Sequence, residues 1–267
     1  MNDDPEADRS TLRPLAKVRG YLAMAFVGVA LLVSDVLQRT VVAAAARLFP
    51  RARHRILTFW IQAMRITVLD IAFIRIGGAQ VGSRPVVPAR PGVLVIMNHQ
   101  SLLDIPLVVG ACQGGYPRIV TRRRYTHGIP LISHMTRLYQ YPVVDPQATV
   151  KGHLHGLREA AENGDTPLAI FPEGTRTRDG QLSRWKRSGL RVILSARQWD
   201  VYILVVDGLW TNRHYVDMTQ GVSGLRGRVE RLGPFRSPPP EEDVEAFIED
   251  MQTRMRETLT AMRRSPA

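Results

Sequence analysis

The chain has 267 residues, of which 45% are hydrophobic, and its formal net charge at pH 7 is +12. This length suits one α/β domain with an attachment segment, and the apolar share is enough for a sizeable core. The charge favours anionic partners, but the sequence has no zinc-ligand spacing, no aromatic-basic RNA motif and no clear recognition helix, so we expect no nucleic-acid partner.

The N-terminal part of the chain predicts attachment to a membrane. Residues 1–12 are polar and are expected to be mobile, and residues 13–77 are expected to form a helical hairpin that dips into one leaflet or barely crosses. The uncharged run at 20–34 is shorter than the roughly twenty residues that span a bilayer. Residues 51–76 are basic, amphipathic and aromatic-bearing, as is typical of an interfacial helix. The alternatives are a signal peptide for the first helix and packing on the domain alone for the second.

A histidine and a carboxylate follow the first predicted buried strand. The apolar run Val93–Met97 predicts that strand, and it is followed directly by Asn98-His99-Gln100-Ser101-Leu102-Leu103-Asp104. If Asp104 lies in the first turn of a helix, which Pro106 favours, its carboxylate can fix the His99 tautomer and leave a general base for a hydroxyl. Ser101 and Asp104 would then form a capping box. The alternative is that His99 only packs and Asp104 only caps.

A tight turn follows a second buried strand, which is predicted at residues 167–171. The sequence there is Phe171-Pro172-Glu173-Gly174-Thr175-Arg176. Pro172 and Gly174 allow backbone N–H groups to face outward, and Arg176 offers a fork of donors that suits phosphate or carboxylate. We expect Glu173 to hold Arg176 or to accept a bond from a substrate hydroxyl; an ordinary solvated turn is the alternative. Because ligands bind at the carboxyl ends of strands in open α/β sheets, both motifs are expected on one rim.

The remaining pattern alternates strands with helices, which predicts an α/β sheet with helices on its faces. Strands are predicted at residues 117–121, 138–144 and 201–206, and helices at 150–163 and 182–198. The acidic start and basic end of residues 237–267 predict a C-terminal helix that packs on the domain, with pairing to another chain as the alternative. The single cysteine, Cys112, excludes an internal disulfide, indicates a reducing compartment and is expected to pack. We interpret His153 and His155 as surface or packing residues, not as metal ligands.

Together, the two motifs resemble those of the glycerolipid (1-acyl-sn-glycerol-3-phosphate) acyltransferase family. That family carries Asn-His-x4-Asp followed by Phe-Pro-Glu-Gly-Thr-Arg, and both stand here without substitution. Trp185, Lys186 and Gly189 match the aromatic-Lys pair and the glycine that usually follow. The resemblance covers residues 90–210. It implies an α/β acyltransferase domain at 78–236, with a central mixed sheet flanked by helices, after an N-terminal two-helix membrane-attachment segment.

The resemblance also implies roles for individual residues. His99 is implied to be the general base and Asp104 the residue that orients it. Substrate-binding roles are implied for Glu173, Gly174, Thr175, Arg176, Arg122, Arg123, Arg124 and Lys186. The arginine that the family has after Asp145 is Pro146 here, and one of Arg122 to Arg124 is expected to replace it. The strand at 201–206 also lacks the central proline of the family.

The activity implied is transfer of a fatty acyl group from acyl-CoA or acyl carrier protein to the free hydroxyl of a lysophospholipid. The first expected acceptor is 1-acyl-sn-glycerol-3-phosphate, which would give phosphatidic acid at the cytoplasmic face of the cell inner membrane. Anionic membrane lipid would be a further partner, and neither a metal ion nor a bound cofactor is expected. Two alternatives stay open: the same chemistry on a lyso-aminolipid or glycolipid, and a non-catalytic membrane-bound protein that binds lipid or a carrier protein.

Overall fold

The computed structural model of the protein describes residues 14–145, 154–212 and 215–264. The predicted mobile segment 1–12, Pro146 and His153 lie outside the described residues. The helices are α1 (Pro14–Leu37), α2 (Ala43–Leu48), α3 (Arg53–Arg65), α4 (Asp104–Ala111), α5 (Ile132–Leu138), α6 (His155–Asn163), α7 (Arg187–Leu194), α8 (Tyr215–Gly221) and α9 (Glu245–Arg264). The strands are β1 (Gln80–Val81), β2 (Val87–Pro88), β3 (Val93–Met97), β4 (Cys112–Gln113), β5 (Arg118–Ile119), β6 (Thr121–Arg122), β7 (Val143–Val144), β8 (Leu168–Ile170), β9 (Asp200–Asp207) and β10 (Arg226–Arg236).

Six of the strands form a mixed sheet in the order β1-β10-β9-β3-β8-β5. Strands β9, β3, β8 and β5 run parallel to one another, whereas β10 is antiparallel to β9. Two small parallel pairs, β2-β4 and β6-β7, lie outside this sheet. A mixed sheet flanked by helices confirms the predicted fold class.

Alternating side chains of β3 and β9 pack into separate layers on the two faces of the sheet, because successive residues of a strand point to opposite sides. Val93, Val95 and Met97 of β3 join the cluster that contains the N-terminal helices and α4. Leu94 and Ile96 join the cluster that contains α6, α7 and α9. Burial on both faces explains why β3 is an unbroken apolar run.

The first 63 described residues fold as two antiparallel helical arms, Leu15–Leu48 and Pro50–Ile76, each long and apolar enough to cross a membrane by length and composition. A π-helical turn, Gln38–Val42, joins α1 to α2, and a π-helix, Ile66–Ile76, extends α3. Two apolar N-terminal helices are therefore present, as predicted. Each arm has an exposed apolar side as well as a packed one, since Val29 and Phe59 are 62% and 75% exposed while Leu57 is fully buried.

Polar residues inside the first arm have hydrogen-bond partners that the local sequence does not predict. Asp35 pairs with Arg39 at 2.9 Å and also accepts the backbone N–H of Leu131 at 2.8 Å. Gln38 is fully buried, donates to the Leu131 carbonyl at 3.1 Å and accepts from the Trp60 indole at 3.0 Å. These bonds let the helix continue beyond the uncharged run at 20–34, because buried polar groups need partners.

Three predicted elements differ from the structure. Residues 138–144 are not one strand: α5 ends at Leu138, and only Val143–Val144 pairs, next to β6. The predicted helix 182–198 is shortened to α7, because the segment before it is held extended by contacts with the second motif. The C-terminal helix begins at Glu245, with the Asp243 carboxylate accepting the Glu245 N–H at 3.1 Å, so the preceding acids lie outside it.

Candidate active site

The two motifs lie side by side at one rim of the sheet. Strands β3 and β8 are parallel neighbours, with Ile96 opposite Ile170, so the residues that follow them emerge together. The imidazole of His99 lies against the ring of Phe171, with ring centroids 4.5 Å apart and planes inclined by 33°. The expectation that both motifs share a rim is confirmed.

His99 and Asp104 form a hydrogen-bonded pair, with His99 Nδ1 2.7 Å from Asp104 Oδ2. The Asp104 side chain is fully buried, and the same oxygen accepts the backbone N–H groups of Gln100 at 2.6 Å and Ser101 at 2.8 Å. Three donors on one oxygen favour the carboxylate. We therefore assign the proton to Nδ1, which leaves Nε2 of His99 as the nitrogen able to accept one.

The predicted capping box is only half present. Helix α4 begins at Asp104, its N-cap residue is Leu103, and the Leu103 side chain makes no capping bond. The Asp104 carboxylate bonds the N–H of Ser101 as the motif requires, but the Ser101 hydroxyl accepts from Leu103 at 3.4 Å. The carboxylate thus holds the loop before the helix and the histidine at once.

The backbone around His99 is held from three sides. The side chain of buried Asn98 donates to the Val206 carbonyl at 2.8 Å and accepts the Val206 N–H at 2.7 Å, which fixes the end of β3 to β9. The N–H of His99 donates to Glu173 Oε1 at 2.8 Å, and its carbonyl accepts the N–H of Thr177 at 2.8 Å. Both backbone groups of the histidine are therefore bonded to the second motif and the loop after it.

The structure gives Glu173 a different place from the one expected. Its side chain is 2% exposed, and its second oxygen accepts the N–H of Ser183 at 2.8 Å, so both oxygens bond backbone groups. Burial raises the pKa of the Glu173 carboxyl, and the N–H groups of His99 and Ser183 partly offset that rise. Glu173 does not line the cavity described below. We therefore revise its expected contact with substrate to a contact that joins two loops.

Gly174 sits where only a glycine fits easily. Its φ is +65°, in the left-handed region, and an added Cβ would lie 3.3 Å from the Lys186 side chain. Its carbonyl accepts a hydrogen bond from the Arg122 guanidinium. The Lys186 N–H donates to the Pro172 carbonyl at 2.8 Å. Arg122 and Lys186 are thereby brought to the turn from two other parts of the chain.

A cavity of about 340 Å³ opens beside His99 and these basic residues. Seven of the ten residues predicted for the site line it, and they are His99, Arg122, Arg124, Gly174, Thr175, Arg176 and Lys186. The described lining thus carries four cationic side chains and no carboxylate. Such a wall favours an anionic ligand.

Asp104, Glu173 and Arg123 are the three predicted site residues that do not line the cavity. Asp104 lies behind the histidine. Arg123 faces away: its side chain is 70% exposed and pairs with Asp145 at 3.4 Å. Of the arginines at 122–124, the structure therefore brings the first and third to the cavity.

The rest of the described cavity lining is mostly apolar, and sequence patterns did not single out its apolar residues. Its lining includes Ile105, Ile119, Val120, Val144, Leu154, Leu157, Ile170 and Phe171. These residues come from five different helices and strands and from the loops beside them, so no local motif marks them. A ligand that carries both an anionic group and an apolar chain fits this lining. Among the described residues, no group of three or more His, Cys, Asp or Glu side chains could hold a metal ion.

Comparison with known proteins gives consistent matches. Residues 79–206 match the family model described as Acyltransferase. A curated 1-acyl-sn-glycerol-3-phosphate acyltransferase from Helicobacter pylori is 26% identical over 166 residues, which span 61% of this chain and 66% of that protein. A protein of the same name from Cocos nucifera is 28% identical over 107 residues, which span 39% of this chain and 34% of that protein. The matched segments therefore cover at most about two thirds of these relatives.

A solved structure shares the whole architecture. The 1-acyl-sn-glycerophosphate (LPA) acyltransferase PlsC from Thermotoga maritima superposes with a TM-score of 0.71, and the match covers 94% of this chain and 99% of that one. The sequences are 16% identical across this match. At that level the likeness establishes a common fold, including the N-terminal helices.

Proposed function

Residues 79–206 match the acyltransferase family model, and from that match we propose that the chain acylates 1-acyl-sn-glycerol-3-phosphate. The donor is a fatty acyl thioester, acyl-CoA or acyl carrier protein, and the product is phosphatidic acid. The observation that carries this proposal is the His99–Asp104 pair beside a cavity whose lining combines four cationic side chains with apolar ones.

His99 is the proposed general base. With Nδ1 bonded to Asp104, Nε2 removes the proton from the acceptor hydroxyl as that oxygen attacks the thioester carbonyl. The tetrahedral intermediate collapses with cleavage of the C–S bond, and the proton on Nε2 passes to the departing thiolate. Asp104 stays ionised throughout and stabilises the imidazolium, as an orienting carboxylate does in a catalytic triad.

The basic wall is the proposed site for the acceptor phosphate. Arg122, Arg124, Arg176 and Lys186 supply the charge there, and guanidinium groups suit phosphate because their donors are planar and paired. Thr175 and Gly174 line the same wall and place a hydroxyl and a sharp turn next to it. The apolar residues of the lining would hold a fatty chain. Neither a bound cofactor nor a metal ion enters this proposal.

Acyl transfer by the purified protein tests the proposal. Labelled acyl-CoA and acyl carrier protein are each offered with lysophosphatidate, a lyso-aminolipid and a lysoglycolipid. We expect product with lysophosphatidate, and a loss of several orders of magnitude in His99→Ala, as for removal of a general base. His155→Ala is the matched control, because His155 is exposed at the start of α6.

Each other result overturns part of the proposal. Product with a different lysolipid would replace the acceptor while keeping the chemistry. Near-normal turnover in a folded His99→Ala protein would remove the mechanism. No product with either donor would leave the non-catalytic lipid- or carrier-binding alternative.

We further propose that residues 13–77 attach the protein to the cytoplasmic face of the cell inner membrane, ahead of a catalytic domain at 78–236 and a C-terminal helix within 237–267. Exposed apolar side chains support this, including Val29 and Leu32 at 62% and 59% exposure. Anionic lipid is the proposed partner, given the net charge of +12.

The Val29→Asp/Leu32→Asp variant should no longer sediment with anionic vesicles. Val86→Asp, which adds a charge at an exposed apolar residue of the domain, should still sediment with them. Equal sedimentation of both variants would reject this attachment.

A further inference from the structure

Arg263, in the last turn of α9, reaches the back of the candidate active site. Its Nη2 donates to the Gly180 carbonyl at 2.6 Å and to Asp207 Oδ1 at 2.9 Å, and its Nε lies 3.2 Å from the same carboxylate oxygen. The Asp207 side chain is 9% exposed and that of Arg263 28%. One guanidinium thus joins the end of β9 to the loop after the second motif.

The first connection runs from Asp207 to the loop of His99. Asp207 Oδ1 also lies 3.5 Å from the side-chain nitrogen of Gln100. Gln100 is fully buried, and its side-chain oxygen accepts the N–H of Leu209 at 3.0 Å. Its own backbone N–H donates to Asp104 at 2.6 Å. The residue directly after His99 is therefore held between Asp207 and the carboxylate that orients the histidine.

The second connection runs through the loop at residues 177–183. Asp179 accepts the Thr177 hydroxyl at 2.9 Å and the Gln181 N–H at 3.0 Å, which closes the loop around Gly180. The Thr177 N–H then bonds the His99 carbonyl at 2.8 Å. Gly180 has a φ of +76°, and an added Cβ would lie 2.9 Å from Nη2 of Arg263 and 2.8 Å from the Trp210 ring. The loop therefore fits closely against the arginine.

We propose that Arg263 is a positioning residue for acyl transfer, holding the His99 loop and the loop at 177–183 in register. This inference rests on the proposed function. Arg263 lies outside the family-matched segment 79–206 and does not line the cavity. It acts through Gly180 and Asp207. A lysine would not serve equally, because a compact ammonium cannot reproduce the two directed contacts of a guanidinium.

The steady-state kinetics of Arg263→Ala test this inference. A misplacement of about 1 Å at a reacting group costs on the order of 100-fold in rate. We expect kcat to fall by about 10- to 100-fold while KM for both substrates changes by less than about twofold, because the cavity lining is retained. Arg263→Lys should recover part of the loss. Arg264→Ala is the matched control. Arg264 is the exposed neighbour of Arg263, and its substitution removes one charge from the same helical turn.

Backbone amide hydrogen exchange gives a readout that does not depend on activity. In Arg263→Ala, exchange should become faster at residues 98–104 and 177–183 and stay unchanged in β3 and α6. If the wild-type protein shows no acyl transfer, the proposed function is rejected. The exchange data would still test whether Arg263 holds the two loops. An active wild type with unchanged kcat and unchanged exchange in Arg263→Ala would reject the inference alone.

Asp207→Asn provides the same comparison if Arg263→Ala does not fold. It removes the carboxylate that Arg263 and Gln100 share, and we expect a similar loss of kcat. When both single variants fold, the double variant should lose no more than the more affected single one, because the two residues act as one unit. Losses that multiply in the double variant would show that they act separately and would overturn the inference.

Discussion

The carboxylate of Glu173 accepts the backbone N–H of His99 at 2.8 Å, although 74 positions separate the two residues. The other carboxylate oxygen accepts the N–H of Ser183 at 2.8 Å. The acid of the second motif therefore bonds the residue that carries the proposed base, and it does so from a buried position. The two motifs form one structural unit.

Glu173→Ala should destabilise the protein more than it changes substrate affinity. It leaves the part-buried N–H groups of His99 and Ser183 without their acceptor, which costs up to about 1–3 kcal/mol each. Glu173→Gln keeps one acceptor oxygen and should cost less. Denaturant unfolding measures both variants, with Glu162→Gln as an exposed control. A rise in KM for the acceptor without a loss of stability would instead support direct contact with substrate.

Asp104→Asn should keep the fold and lose activity. The amide oxygen can take the place of Oδ2, which accepts from Gln100, Ser101 and His99 alike, so the tautomer is kept, but a neutral amide no longer stabilises the imidazolium. In a catalytic triad the corresponding change lowers kcat by about 10⁴-fold because it imposes the wrong tautomer. Since only the charge is lost here, we expect a smaller fall, of about 10²-fold. Single-turnover kinetics with thermal unfolding as a control would measure it. A kcat within tenfold of wild type in a folded variant would mean that Asp104 only caps the helix.

Tyr139 and Tyr141 form a matched pair for testing the value of a buried hydroxyl. The Tyr139 hydroxyl donates to the Leu57 carbonyl at 2.9 Å, whereas the Tyr141 hydroxyl is buried without a hydrogen-bond partner among the described residues. Tyr139→Phe should therefore lower the free energy of unfolding by about 0.5–1.5 kcal/mol. Tyr141→Phe should leave it unchanged or raise it by up to about 1 kcal/mol. Denaturant unfolding of both variants measures these changes. Equal losses in the free energy of unfolding would contradict the assignment of a hydrogen bond to Tyr139 alone of the two.

Cys112 should make the fold less stable at alkaline pH. Burial raises the pKa of its thiol to about 12, whereas an unfolded cysteine has a pKa of about 8.5. Between these values the unfolded state has lost a proton that the folded state keeps, so the free energy of unfolding falls as pH rises, by up to about 1.4 kcal/mol per unit from this residue. Unfolding at pH 8 and pH 10 should show a shallower decline in Cys112→Ala than in wild type. Rapid alkylation of Cys112 in the folded protein at pH 8 would show that the thiol is accessible, which would contradict its burial.

Local patterns predicted the parts of the site that local physics determines. The run Val93–Met97 is buried on both faces, so its apolar sequence marks a central strand without ambiguity. His99 and Asp104 are close in the chain, and the helix start between them could be read from Pro106. The contact of His99 with Glu173 could not, because it depends on the parallel pairing of β3 and β8.

The missed elements carry mixed or misleading patterns. Strand β10 was not predicted, because Arg226, Arg228, Glu230 and Arg231 give it the composition of a surface loop. It lies antiparallel to β9 and leaves one face partly exposed, which tolerates those charges. The segment before α7 was predicted as helix because its residues have no strong breaker. Its backbone is instead bonded to Glu173 and Pro172, two contacts that only the folded motif provides.

The place of Arg263 at the end of α9 also sets the order in which the proposed enzyme becomes competent during translation. The apolar helical arms leave the ribosome first, and α9 leaves after the strands and loops of the site. With the attachment proposed for these arms, a nascent chain would reach lipid while its histidine loop still lacks Arg263. With the roles proposed for the helical arms and for Arg263, a premature stop codon just before Arg263 would yield a protein that attaches to membranes but turns over slowly. That protein would compete with the full-length protein for membrane surface.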